Sequence, residues 1–145
     1  MSLRLDYKAA APEGVRGLYT PHAYVTAHVP RPLLDLVWLR VSQINGCAYC
    51  IDLHSREAVE HGAAQRKVHN VAGWWESPLF DMRERTALAY AEAVTRLTGQ
   101  RVPDDIYDAA AAQFGPKELA DLTIAIALMN AMNRMAISFR QGPPA

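Results

Sequence analysis

Residues 31–54 read Arg31-Pro32-Leu33-Leu34-Asp35-Leu36-Val37-Trp38-Leu39-Arg40-Val41-Ser42-Gln43-Ile44-Asn45-Gly46-Cys47-Ala48-Tyr49-Cys50-Ile51-Asp52-Leu53-His54. Pro32 suits the first turn of a helix, where its missing N–H costs nothing. Leu33, Leu34, Val37, Leu39 (or Trp38), Val41 and Ile44 then form an apolar stripe at helical spacing. Asn45-Gly46 reads as a stop, and a second helix is expected from near Cys47 to Gly62. Two helices joined by so short a link favour antiparallel neighbours.

Helix signals continue outward from this pair. A short helix is expected around Ala64 to Ala72. Asp81-Met82-Arg83-Glu84 resembles a capping box, opening a helix through Leu88, Ala91, Val94 and Leu97 that Gly99 stops. Pro103-Asp104 opens another, stopped by Gly115. Pro116 opens the last, which reaches roughly Phe139 and is apolar nearly all round between Leu122 and Met132. Such a helix is central in a core or buried between subunits. No stretch alternates with period two. The expected fold is all-α, a compact domain of about six helices over residues 31–140 with a tail at 141–145. Residues 1–30, interrupted by Pro12, Gly14, Gly17, Pro21 and Pro30, read as an irregular N-terminal arm packed on the body.

The 145 residues fit one domain, and half of them are apolar. Fifteen Lys plus Arg balance fifteen Asp plus Glu, so no basic excess points to nucleic acid. The N-terminus is too polar for a signal peptide, and the apolar C-terminal stretch, broken by Asn130, Asn133 and Arg134, is too short for a membrane span. A soluble cytoplasmic protein is the expectation. Only two cysteines are present, three apart, which in a reducing compartment suggests redox chemistry or metal binding.

Cys47-Ala48-Tyr49-Cys50 falls where a helix should begin. Free N–H groups at a helix N-terminus favour thiolate, and the spacing lets a disulfide close on one side of the first turn. His54, one turn beyond Cys50 on the same face, can take a thiol proton. His61 shares that face, and Asp35 could return towards the cysteines if the two helices form a hairpin. Other readings exist for these residues. The two thiols could fill a core as small hydrophobes. Cys47, Cys50 and His54 with His61 or Asp35 could ligate zinc, although most of that set lies on one helix, a poor cage. Haem attachment is disfavoured because Ile51, not His, follows Cys50. His22, His28 and His69 stand alone and read as surface or capping residues. Trp74-Trp75 reads as packing, with a substrate wall as the alternative. Met129, Met132 and Met135 read as core or interface.

The run from Leu39 to His54 resembles the alkylhydroperoxidase D-like branch of the carboxymuconolactone decarboxylase family, whose signature is a carboxylate, then Cys-x-x-Cys, then His. The likeness extends through Arg85–Ala93 and Asn130–Arg134. It implies an all-helical domain that forms trimers or hexamers and carries out peroxidase or disulfide-reductase chemistry without a bound cofactor. By this resemblance Cys50 attacks a hydroperoxide, Cys47 resolves the sulfenic acid as a disulfide, and His54 serves a proton relay with an upstream carboxylate. An external dithiol closes the cycle. The family carboxylate is Glu, whereas this chain has Asp35, one methylene shorter, and Tyr49 stands where some members carry His. A lactone decarboxylase, which works without the cysteine pair, and a non-enzymatic redox sensor or oligomeric scaffold are the rival readings.

Overall fold

The computed structural model describes residues 2–97, 99 and 101–144. Its helices are α1 (Tyr7–Ala10), α2 (Pro12–His28), α3 (Arg31–Asn45), α4 (Ala48–Glu60), α5 (Gln65–Asn70), α6 (Met82–Thr95) and α7 (Asp104–Phe139), with a 3₁₀ turn at Val71–Gly73. No strand occurs among the described residues.

The molecule is organised around α3. Ten consecutive residues, Leu33 to Ser42, are buried, because α3 lies between two apolar clusters. One joins Val25, Leu34, Val37, Trp38, Ala91 and Ile126. The other joins Leu36, Leu39, Ala58, Val71, Phe80 and Leu88. The apolar stripe legible in the sequence is therefore one half of a helix covered on both sides. Its polar side chains are buried with partners, as interior polar groups must be. Arg40 Nε donates to Glu92 at 2.7 Å, Asn133 Nδ2 donates to Ser42 Oγ at 3.1 Å, and Trp38 Nε1 donates to the Ala125 carbonyl at 3.0 Å.

The region 1–30 differs from the expected irregular arm. Residues 12–28 form α2, which runs through Pro21. Proline inside a helix removes one N–H donor and crowds the preceding turn, and Gly14 and Gly17 add a propensity cost. Tertiary contacts offset both. Val25 is fully buried, and Tyr24 Oη donates to Asp121 Oδ1 on α7 at 2.9 Å.

Other boundaries follow local chemistry. Asp81 and Glu84 form the reciprocal capping box at the start of α6. That helix ends at Thr95, short of Gly99. Leu97 beyond it is half exposed, so no burial holds a further turn. Gly115, at φ 69° and ψ 173°, breaks α7 where Pro116 restarts it, giving the two helical arms expected there. The second arm is a core helix. Leu122, Ala125, Ile126 and Met129 are buried within this chain, while Ile124 and Ile137 are exposed.

Candidate active site

The turn between α3 and α4 builds the site. Gly46 adopts the left-handed conformation, φ 71°, which glycine enters without a Cβ penalty. Its N–H donates to the Gln43 carbonyl and the Cys47 N–H to the Ser42 carbonyl. This is a Schellman stop. Asn45 Nδ2 donates to Asn130 and Asn133 on α7, each at 3.0 Å, which anchors the turn. Cys47 closes α3 and is at the same time the N-cap of α4, its sulfur accepting the Cys50 N–H at 3.4 Å.

Cys47 and Cys50 form a disulfide with Cα atoms 5.3 Å apart. Both are almost wholly buried. In this oxidised state both sulfurs are bonded to each other, so neither is a thiolate that could ligate the zinc considered above. Their burial against Ala136 and Tyr49 is that of a small apolar group, yet Cys50 lines a pocket of about 90 Å³. Its wall includes His54 and Leu53 from α4, Met129 and Met132 from α7, and His22 from α2.

His54 is buried, and its Nδ1 lies 3.1 Å from Glu57 Oε2. A carboxylate can only accept, so Nδ1 carries the hydrogen and Nε2 of the neutral ring is the free lone pair. The bond from His54 holds the Glu57 carboxyl below its ordinary range, against a smaller upward push from burial. Glu57 is a site residue that the sequence reading did not single out. The signal was present in its spacing, three residues after His54 on the same helix face.

Asp35 is fully buried, and the hairpin brings it to α4, but to a different partner. Counted from the Gly46 turn, Asp35 is eleven residues down α3, about 16 Å at 1.5 Å per residue. Antiparallel packing sets it level with the far half of α4. Its Oδ2 accepts from His61 Nδ1 at 2.6 Å and its Oδ1 from Arg31 Nη2 at 3.2 Å. Donor atoms of Asp35, His54 and Glu57 lie within 4.8 Å of one another, with no hydrogen bond between Asp35 and His54. Burial pushes the Asp35 carboxyl up, opposed by His61 and Arg31.

Arg31 Nη2 stands 3.8 Å from Glu57 Oε2 as well, so one guanidinium bridges both carboxylates. A cation thus already sits among the oxygens that could otherwise hold a metal, and the cluster is an ion-pair network.

His22 is the second imidazole of the pocket wall. It stacks on Trp38 with centroids 5.2 Å apart, and the other neighbour of Trp38 is His54, also at 5.2 Å. Burial, with Arg31 nearby, lowers the His22 pKa. Its place followed from α2 being a helix, which the prolines and glycines of residues 1–30 obscured. His28 stacks on Tyr24, and neither it nor His69 lines this pocket. Trp74 donates to Glu92 Oε1 at 2.8 Å and Trp75 is exposed. Both stand apart from the pocket wall.

Comparison with known proteins agrees with this architecture. The Bacillus subtilis protein YdfG, itself uncharacterized, is 32% identical over 139 residues, covering 95% of each chain. The solved structure of ATU0492 from Agrobacterium tumefaciens, a protein of unknown function named as a candidate antioxidant defence protein AhpD, superposes with a TM-score of 0.95 at 32% identity, covering 99% of both chains. The debrominase Bmp8 shares the fold at 21% identity, with a TM-score of 0.85 over 94% of this chain and 74% of its own. The profile of the carboxymuconolactone decarboxylase family matches residues 10–93, a span that includes α2 and the whole cysteine hairpin. With a profile match over more than half its length, and with its cysteine motif set in this helical frame, the chain belongs to the carboxymuconolactone decarboxylase family, in the alkylhydroperoxidase D-like branch.

Proposed function

We propose that the protein is a thiol-dependent peroxidase that reduces hydroperoxides through a Cys47–Cys50 dithiol–disulfide cycle. The observation that carries this reading is a disulfide at a pocket wall shared with a histidine whose Nδ1 is tied to Glu57. His54 Nε2 accepts the Cys50 proton. The thiolate attacks a peroxide oxygen, forming an S–O bond and breaking O–O. The departing alkoxide takes the proton back from His54 and leaves as alcohol. Cys47, favoured as thiolate at the α4 N-terminus, attacks the Cys50 sulfur, breaking its S–O bond and expelling hydroxide, which takes up a solvent proton and leaves as water. An external dithiol returns the disulfide to two thiols. Glu57 holds the His54 ring directly, and Asp35 acts one step removed, through Arg31.

The lactone reading suggested by the family name has no need of a redox pair, and the disulfide at the pocket speaks against it. Stopped-flow reaction of the reduced protein with several hydroperoxides, followed by thiol counting, tests the proposal. Cys50→Ser is expected to abolish turnover, while Cys47→Ser leaves a sulfenic acid that can be trapped at Cys50. Retained turnover in Cys50→Ser, with the sulfenic acid at Cys47, reverses the two roles. Full lactone activity in the double Cys→Ser variant, with no peroxide consumption by the wild type, refutes the proposal.

A further inference from the structure

The two cysteines of the disulfide line different cavities. Cys50 is in the wall of the pocket already described and Cys47 is not. Cys47 lines a second cavity, of about 490 Å³, with Ala48, Ile137, Arg140, Gly142 and Pro143. Ala136 and Gln141 stand in both walls and partition them. With Cys47 1% and Cys50 4% exposed, a reagent reaches either sulfur only through its own cavity.

Thiol–disulfide exchange is an in-line displacement, and both access and the sulfur attacked govern its rate. A thiolate that attacks Cys50 must approach from the side away from Cys47, through the first pocket. One that attacks Cys47 must approach from the side away from Cys50. The Cys47 cavity is the larger of the two and is lined by small residues around one charged side chain, Arg140. Among the described residues its wall holds no Asp or Glu, so a negatively charged reagent meets the attraction of Arg140 there.

We propose that the reductant enters by the Cys47 cavity, as a slender anionic dithiol guided by Arg140, while the oxidant reacts at Cys50 through the other mouth. The proposal rests on the dithiol cycle given above. The reductant thiolate forms a bond to Cys47 Sγ, the Cys47–Cys50 bond breaks, and Cys50 departs as thiolate beside His54. The second thiol of the reductant then displaces Cys47 and carries away the new disulfide, delivering two electrons. Cys50 is thereby left ready for the next peroxide. With separate mouths, a bound reductant does not obstruct the oxidant pocket.

The test is reduction of the oxidised protein by two monothiol probes of opposite charge, 3-mercaptopropionate and cysteamine. Rates are corrected for thiolate fraction and read as acid-quenched thiol release, with no peroxide present. Two exposed cations are reversed, Arg140→Glu at the Cys47 cavity and Lys8→Glu at the Cys50 pocket. Arg140→Glu is expected to shift the anionic-to-cationic rate ratio by about tenfold towards cysteamine, the order expected for reversing one charge at a water-lined mouth, and Lys8→Glu to leave it unchanged. The shift appearing in Lys8→Glu instead, in both variants, or in neither overturns the proposal. Because the assay needs no hydroperoxide, its result stands apart from the peroxidase reading. An Arg140 effect in a protein that ignores every peroxide would refute that reading and leave the entry route in place.

Discussion

Replacing Glu57 with Gln keeps the length of the side chain and a good helix former while removing the charge that accepts from His54. The bond at stake is 3.1 Å long, between a His54 side chain 5% exposed and a Glu57 side chain 28% exposed. Hydrogen bonds to a charged group contribute about 1.5–3 kcal/mol. Partial exposure and the guanidinium of Arg31, 3.8 Å from the same oxygen, place this one at the lower end. At about 1.4 kcal/mol the apparent pKa of the Cys50 thiol rises by about one unit when the imidazolium loses its carboxylate, and thiolate reactivity below that pKa falls about tenfold. The assay is the pH dependence of alkylation of reduced protein in a Cys47→Ser background, so that one thiol is read. Asp35→Asn in the same background is expected to give a clearly smaller shift, since Asp35 is bonded to His61 and Arg31. A larger shift in Asp35→Asn than in Glu57→Gln would refute the assignment and return the relay to the carboxylate that the family resemblance picks out. The Glu57 carboxyl is held below its ordinary value of 4.5. Its contribution to folding is therefore present above that pH and is lost as the pH falls through the depressed value. Glu57→Gln should flatten this part of the acid limb of stability.

Two further outcomes follow from the fold. Gly115→Ala should destabilise the protein by about 1–3 kcal/mol in chemical denaturation, because φ 69° with ψ 173° is a region essentially reserved for glycine, while Cys50 alkylation stays unchanged; an unaltered midpoint would show that the break between the arms of α7 relaxes without cost. We also propose that the chain assembles as a homo-oligomer, a trimer or hexamer, using exposed apolar residues such as Ile124 and Trp75, and light scattering that gives a monomer of 16.1 kDa at low concentration would contradict it.

The helical framework from residue 31 onward was legible because its signals are local. Gly46 ends α3 by backbone conformation, Asp81 and Glu84 open α6 by reciprocal hydrogen bonds, and Gly115 with Pro116 divides α7, each within a few residues of sequence. The Cys47-x-x-Cys50-x-x-x-His54 spacing likewise places two sulfurs and an imidazole along about two turns of helix, whatever surrounds it. Long-range packing decided the rest. Whether residues 12–28 would be helical depended on what Val25 and Tyr24 could bury and bond against α7, and that packing in turn brought His22 to the pocket. Which carboxylate serves His54 depended on the register of α3 against α4. A side chain can choose only among groups within a few ångströms of it. Packing of α3 against α4 bonded Asp35 to His61, about two turns beyond His54, and left His54 to Glu57, a choice between neighbours that exists only once the two helices are packed.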